Sequence, residues 1–148
     1  MIQMTTDMKR IFADTIVKEH SDDYSIVFIE PRDEKKARKL LQDLRPYSSV
    51  TYAGEEVSVV LRSDDWVKLK ASFPGCKEEG PYRLITFDIV LNLSLVGFLS
   101  VVSAALAKSG VSIFAISTYL RDHILVKKRD AKKAIAVLNE IVSEAKRG

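Results

Sequence analysis

The apolar residues of this chain alternate between helical and strand spacing, which predicts two successive groups of elements. Apolar positions 4, 8, 11, 12 and 16 predict a first helix, with Thr5 or Thr6 as its N-cap. The run YSIVFI at residues 24–29 predicts a strand, and a helix with one leucine-rich face follows until Pro46. Residues 49–53 and 57–62 predict a β-hairpin, and Ser63 caps a short helix that ends near residue 72.

After a polar linker with glycine and proline, the same order of elements returns. Residues 83–91 predict a strand, and residues 95–109 predict a helix that Gly110 terminates in a left-handed conformation. Two more strands follow at 111–119 and 123–127, and Asp130 caps a final amphipathic helix. Both halves therefore follow the pattern βαββα, although their residue identities barely match. Each half thus has three predicted strands, and residues 76–79 are candidates for a further short strand in the first half.

The stretch from residue 89 to residue 107 carries no charge, which raises the question of a membrane span. Asn92, Ser94 and Gly97 stand where a strand turns into a helix, and such a turn would leave backbone groups unsatisfied in lipid. We therefore predict a buried strand, turn and helix rather than a membrane segment. Because the helix is apolar nearly all round, we expect its own sheet to cover one side. The first half or another subunit would cover the other.

Composition fits an ordinary globular protein: 47% of the 148 residues are hydrophobic and 29% are charged. The single cysteine, Cys76, excludes an intrachain disulfide and a Cys-rich zinc site. No signal peptide is visible, so we expect a cytoplasmic protein. The net charge is +3, and basic residues cluster between 127 and 133. This cluster would suit nucleic acid, but no aromatic residue interleaves it, which favours a solvated helix face.

Residues typical of enzymes are sparse. The sequence has no Gly-rich phosphate loop and no HExxH or GxSxG motif. His20 and His123 lie far apart in the sequence, and we expect His123 to be exposed at a strand edge. Trp66 is expected to be a hydrophobic plug. Phe114 and Tyr119 fall on opposite strand faces, so they do not form the stacking platform of RNA-recognition modules. We predict no catalytic residue, no cofactor and no metal site.

The turn at residues 92–97 is the local feature that points to a ligand. Glycine inside the first turn of a helix costs about 1 kcal/mol relative to alanine, and Gly97 is predicted to lie there. Close approach of a ligand or of another backbone would explain it, and the free N–H groups of a first helical turn favour a carboxylate. Simple helix–strand packing explains Gly97 equally well.

Three motifs in the second half resemble the ACT domain. They are SLVGFL at residues 94–99, GVSIFAISTY at 110–119 and DHILV at 122–126. Together they are most similar to the small prokaryotic proteins of tandem ACT repeats, a group akin to the ACT modules of the CASTOR arginine sensors. The first half resembles this family more loosely, and residues 1–23 match no family.

The resemblance implies an α+β, ferredoxin-like fold of two tandem ACT-like repeats, with helices on one face of an antiparallel sheet. We expect an N-terminal helical extension over residues 1–23, a first repeat with its linker over 24–81 and a second repeat over 82–148. The resemblance also implies a non-catalytic regulatory homodimer that binds an amino acid between two ACT units. By position, the turn and the adjoining strand supply the ligand-binding residues Asn92, Leu93, Ser94, Leu95, Val96, Gly97, Ile113, Phe114, Ala115 and Ile116.

The equivalent turn of the first repeat, residues 30–33, departs from this pattern. It has no glycine, and Pro31 removes a backbone donor, so we expect the first repeat to be a structural partner rather than a ligand site. Two alternatives to the sensor remain. One is a protein-interaction module without a ligand, and the other is a nucleic-acid-binding ferredoxin-like domain that uses the basic cluster.

Overall fold

The computed structural model describes residues 4–148, which divide into two compact units. The first unit joins the segment up to Ser21 with Arg83–Gly148, and the second is Asp22–Tyr82. In chain order the helices and strands are α1 (Thr6–Ala13), β1 (Ile16–Ile29), α2 (Glu34–Leu40), β2 (Ser49–Ala53), β3 (Glu56–Arg62), α3 (Ser63–Leu69), β4 (Lys77–Asp88), α4 (Phe98–Lys108), β5 (Phe114–Ser117), β6 (Asp122–Lys127) and α5 (Ala131–Arg147).

The second unit has the element order βαββαβ of a ferredoxin-like fold. Its strands lie in the order β2–β3–β1–β4, and it takes the last residues of β1 and the first of β4. β1 runs antiparallel to β3, with Tyr24 opposite Arg62 and Ile29 opposite Val57. Alternate strand residues meet the helices in a core of Val27, Ile29, Ala37, Leu41, Val57, Val59, Leu61, Trp66 and Phe73.

The first unit repeats this strand order, β1–β4–β6–β5, with residues 16–21 of β1 and 83–88 of β4. β5 and β6 pair antiparallel, with Phe114 opposite Leu125. Helices α1, α4 and α5 contribute to a core of Met8, Phe12, Ile85, Phe87, Phe98, Val102, Leu106, Val111, Ile124, Val126, Ala131, Ala134, Leu138 and Ala145. The fold is thus mixed α+β with antiparallel strands, as the sequence predicted.

Both long strands begin earlier than predicted, and their first halves supply the fourth strand of each unit. β1 begins at Ile16 rather than at residue 24. β4 begins at Lys77 rather than at residue 83, so the candidate short strand at residues 76–79 is the start of β4. The polar residues just before position 24 give no strand signal in the sequence because their side chains are hydrophilic. In the structure these side chains have partners: Glu19 lies 3.7 Å from Arg83, and the His20 ring bonds to Thr86.

Helix α1 is shorter than the predicted helix. The Thr5 hydroxyl accepts a hydrogen bond from the Met8 amide at 3.1 Å, which confirms one of the two predicted N-caps. The helix ends at Ala13, where the Thr15 hydroxyl donates back to the carbonyl of Ile11. The ring of Phe12 stacks on that of Phe98 with centroids 4.6 Å apart, so α1 packs against α4 in the first unit.

Helix α4 begins at Phe98, three residues later than predicted, which corrects the interpretation of Gly97. Gly97 is the N-cap residue with φ of +102°, outside the helix, so backbone conformation explains the glycine directly. Gly110 has φ of +76° and ends the helix as predicted.

Phe98, Val102 and Leu106 of α4 are buried, whereas Ala104 and Ala107 are exposed in the single chain, so cover of the second side by another subunit stays a prediction. Asp130 occupies the N-cap position of α5, but its side chain makes no capping bond.

Across residues 4–148, no helix combines the length and hydrophobicity that a membrane crossing requires.

Candidate functional site

An open cavity of about 250 Å³ lies in the first unit, where the β4–α4 turn meets the tip of the β5–β6 hairpin. One wall is the turn with the first residues of α4, and the other is the hairpin tip. The lining residues are Leu91, Asn92, Leu93, Leu95, Gly97, Phe98, Leu99, Ser100, Ser117, Thr118, Leu120, Arg121 and Asp122. The Leu91 amide donates to the Leu120 carbonyl at 2.8 Å, which ties the two walls together.

The α4 wall presents backbone donors. The first hydrogen bond of α4 runs from the Val101 amide to the Gly97 carbonyl at 3.2 Å. Among the described residues, none accepts a hydrogen bond from the amides of Phe98, Leu99 or Ser100, as expected for a first helical turn. These donors and the helix dipole make this wall electropositive, which favours an anionic group.

The turn that leads into α4 is ordered by its own asparagine. The Asn92 side-chain oxygen accepts a hydrogen bond from the Ser94 amide at 2.8 Å, and its carbonyl accepts one from the Leu95 amide at 2.9 Å. This Asx turn directs the chain to Gly97, whose left-handed conformation starts the helix. The predicted cap therefore orders the turn but does not bond the helix.

The hairpin wall carries the charged groups of the cavity. Arg121 donates through Nε to Oδ1 of Asp88 at 3.1 Å, and Asp88 Oδ2 lies 4.0 Å from Nζ of Lys18. The next residue, Asp122, also lines the cavity. Thr118 closes the hairpin, because its hydroxyl and its amide both donate to the Arg121 carbonyl at 2.9 Å.

The two histidines of the sequence are brought together beside this wall, contrary to expectation. His20 Nε2 and His123 Nδ1 lie 2.8 Å and 2.9 Å from the same hydroxyl oxygen, that of Thr86. His123 is 7% exposed rather than solvent-facing at a strand edge, because the β1, β4 and β6 segments of the first unit form neighbouring strands. Burial lowers the pKa of His123, and the nearby His20 lowers it further.

The predicted ligand-binding residues divide into two groups. Asn92, Leu93, Leu95 and Gly97 line the cavity, whereas Ser94 and Val96 of the same turn do not. The strand residues Ile113, Phe114, Ala115 and Ile116 lie outside the lining as well, and β5 is an edge strand of the first unit.

Sequence reasoning missed the residues at the hairpin tip, chiefly Thr118, Arg121 and Asp122. Their signal was the tight turn predicted between two strands. When a hairpin follows a strand and a helix in the same sheet, its tip can lie beside the turn that joins that strand to that helix. Polar residues at the tip are then candidates for the same site.

In the second unit, the space beside the equivalent turn is filled by another loop of the same chain. There Pro31–Asp33 forms a short 3-10 helix that leads directly into α2. A Cβ atom on Gly75 would lie 2.4 Å from the Glu30 carboxylate, so this loop packs tightly against the turn. The Lys36 ammonium also donates to the Ser72 carbonyl at 2.6 Å. These contacts lie where the first unit has its cavity.

Comparison with known proteins supports the ACT assignment for part of the chain. Residues 77–140 match the family model of the ACT domain. No curated protein matches the sequence significantly. Among solved structures, a protein of unknown function from Vibrio cholerae has a TM-score of 0.71 at 20% identity, covering 93% of this chain and 97% of its own.

Regulatory proteins share the same fold. The ligand-free regulatory subunit of aspartate kinase from Thermus thermophilus has a TM-score of 0.63 at 14% identity, covering 86% of this chain and 97% of that subunit. Clostridium acetobutylicum aspartate kinase gives 0.64 at 13% identity, with 85% of this chain but only 34% of that enzyme covered. Residues 77–140 are therefore similar to the ACT domain, and the chain shares the ferredoxin-like fold of the aspartate kinase regulatory subunits.

Proposed function

We propose that this protein is a non-catalytic regulatory module that binds a small carboxylate ligand, an amino acid, in the cavity of its first unit. The observation that carries the proposal is the set of unpaired amides at Phe98, Leu99 and Ser100, which line a cavity at the start of α4. A carboxylate is the group that such a helix start binds best. The cavity is smaller than the roughly 300–1,000 Å³ of drug-sized sites, which suits an amino acid.

The fold supports a regulatory role. The Thermus thermophilus relative is a regulatory subunit of aspartate kinase, and the chain has that fold over most of its length. We extend this to a tandem arrangement, in which the second unit is an ACT-like structural partner whose own turn is filled by the loop at Gly75. The relation to the CASTOR modules and a cytoplasmic location belong to the same proposal.

A second copy of the chain would complete the site. β5 is at the edge of the first unit, and Phe114 on this strand is 38% exposed. An edge strand with exposed apolar side chains is a ready template for pairing. We propose that the strand residues Ile113, Phe114, Ala115 and Ile116 form this homodimer contact, and that the partner's strand covers the open side of the cavity.

A thermal-shift panel of the twenty amino acids tests the proposed function. A ligand at a hundred times its Kd stabilises the folded state by about 2.7 kcal/mol, which raises Tm measurably. We expect at least one amino acid to raise Tm in a saturable way, and sedimentation to report a dimer. No shift with any amino acid would favour the protein-interaction module. Salt-sensitive binding of oligonucleotides would favour the nucleic-acid alternative instead.

A further inference from the structure

The Arg121 side chain is fixed in place at the edge of the cavity. Its backbone is held at both ends by Thr118, whose hydroxyl accepts from the Arg121 amide at 3.3 Å and donates to its carbonyl. Its Nε donates to Asp88 at 3.1 Å. A guanidinium that is restrained in this way loses little further entropy when it binds a ligand.

The same guanidinium retains most of its hydrogen-bonding capacity. Of its five N–H groups, the one on Nε is used by Asp88, and within residues 4–148 the two Nη atoms have no acceptor. The side chain is 33% exposed and lines the cavity. Arg121 therefore offers four N–H groups to a planar acidic group, and a carboxylate is the natural bidentate partner.

The cavity has one further charged group, the carboxylate of Asp122 on the same hairpin. Together with the amides of the α4 wall, the lining combines two features that attract anions with one that attracts a cation. A lysine-like or arginine-like ligand would bring a second cation to a cavity that already contains Arg121. An amide side chain would leave the two Nη groups of Arg121 without a charged acceptor.

We propose that the cavity selects a dicarboxylic α-amino acid, whose side-chain carboxylate binds Arg121 and whose ammonium binds Asp122. The second carboxylate lies on the amides of the α4 wall, so this inference rests on the proposed function. Acidic amino acids carry two carboxylates and one ammonium, which matches the two anion-binding features and the one cation-binding feature of the lining. Arg121 is then the residue that determines specificity.

Isothermal titration with L-aspartate and L-glutamate, compared with L-asparagine and L-glutamine, tests this selection. Each amide has nearly the size and shape of its acid and differs mainly in charge. Because charge-assisted hydrogen bonds are roughly twice as strong as neutral ones, we expect one of the acids to bind at least about tenfold more tightly than its amide. The variant Arg121→Gln should remove this difference, whereas Arg147→Gln, at an exposed ion pair with Glu140, should preserve it.

Each outcome separates the two claims. Equal affinity for acid and amide, or preference for a basic amino acid, would overturn the dicarboxylate inference and leave the amino-acid sensor standing. Absence of binding by every amino acid would overturn both. If Arg121→Gln does not fold, the wild-type acid-to-amide ratio still decides, and succinate, which lacks the ammonium, tests Asp122. Succinate binding as tight as that of L-aspartate would remove the role of Asp122.

Discussion

The hydroxyl of Thr86 lies 2.9 Å from Nδ1 of His123, and both residues are buried in the first unit. The same oxygen lies 2.8 Å from Nε2 of His20, so one hydroxyl joins the two histidines of the chain. If His20 donates to the oxygen and Thr86 donates to His123, the far nitrogen of His123 is protonated and faces Thr118 Oγ1 at 3.4 Å. This chain of hydrogen bonds connects β1 and β4 to the cavity wall.

Replacing Thr86 by valine should destabilise the fold while preserving side-chain volume. The substitution removes the hydroxyl from both ring nitrogens, and losing the partner of a buried polar group costs about 1–3 kcal/mol. Urea denaturation at neutral pH measures the free energy of unfolding. Thr51→Val on an exposed strand position is the matched control and should change it by less than about 0.5 kcal/mol. If both substitutions changed the free energy of unfolding equally, the hydrogen bonds of Thr86 to the two histidines would not stabilise the fold.

Stability should fall as the pH drops below about 6.5, the pKa of an unperturbed histidine. Burial lowers the pKa of His123 in the folded state, so between the two pKa values the unfolded chain binds more protons. The stabilisation by neutral His123 is therefore present above pH 6.5 and is lost as the pH falls through the folded-state pKa. Unfolding measured between pH 5 and 7.5 should show this slope. His123→Gln should flatten it, and an unchanged slope would assign it to another group.

Gly97→Ala should cost about 1–2 kcal/mol because of backbone strain alone. Gly97 has φ of +102°, which L-residues adopt unfavourably, whereas the new Cβ would meet only the Met8 side chain at 3.7 Å, an ordinary contact. Gly54→Ala is the control, since its Cβ would enter open space and its φ lies outside the left-handed region. Denaturation midpoints of the two variants compare them directly. Equal loss in both would contradict the conformational role of Gly97.

Ser100→Glu should separate ligand binding from stability. An acidic side chain in the first turn of α4 interacts favourably with the helix dipole, by about 0.3–1 kcal/mol, yet it brings negative charge to the proposed carboxylate position. We therefore expect unchanged or higher Tm and a lost response to the amino acid. Ala107→Glu, at the exposed opposite end of the same helix, should retain the response. A normal response in Ser100→Glu would place the ligand elsewhere.

Element types and the turn of the candidate site were predictable from local signals. The hairpin of β2 and β3, the glycine at the end of α4 and the caps of the first helix all follow from turn chemistry and apolar spacing. Long-range pairing was not predictable. The fourth strand of each unit is a half of β1 or β4, and the charged residues Glu19 and Arg83 form an ion pair that only the pairing of these strands brings together.

The charged residues of the hairpin wall could not be predicted from the sequence, because their contacts also depend on long-range strand pairing. Arg121 and Asp88 are 33 positions apart and give no joint signal until β4 and the hairpin tip are neighbours. His123 was misjudged because an alternating strand has two faces, and only the arrangement of strands decides which face is buried. By contrast, Trp66 of α3 is buried as predicted and stacks on Phe73.

The central claim is that an amino acid binds between the start of α4 and the β5–β6 hairpin, and amide chemical-shift mapping tests it most directly. Titration of the ¹⁵N-labelled protein with L-aspartate or L-glutamate should shift the amides of Phe98, Leu99, Ser100 and Arg121 in a saturable way. Amides of β2 and α3 in the second unit should stay unchanged. Saturable shifts confined to the second unit, or no shifts with any amino acid, would contradict the account.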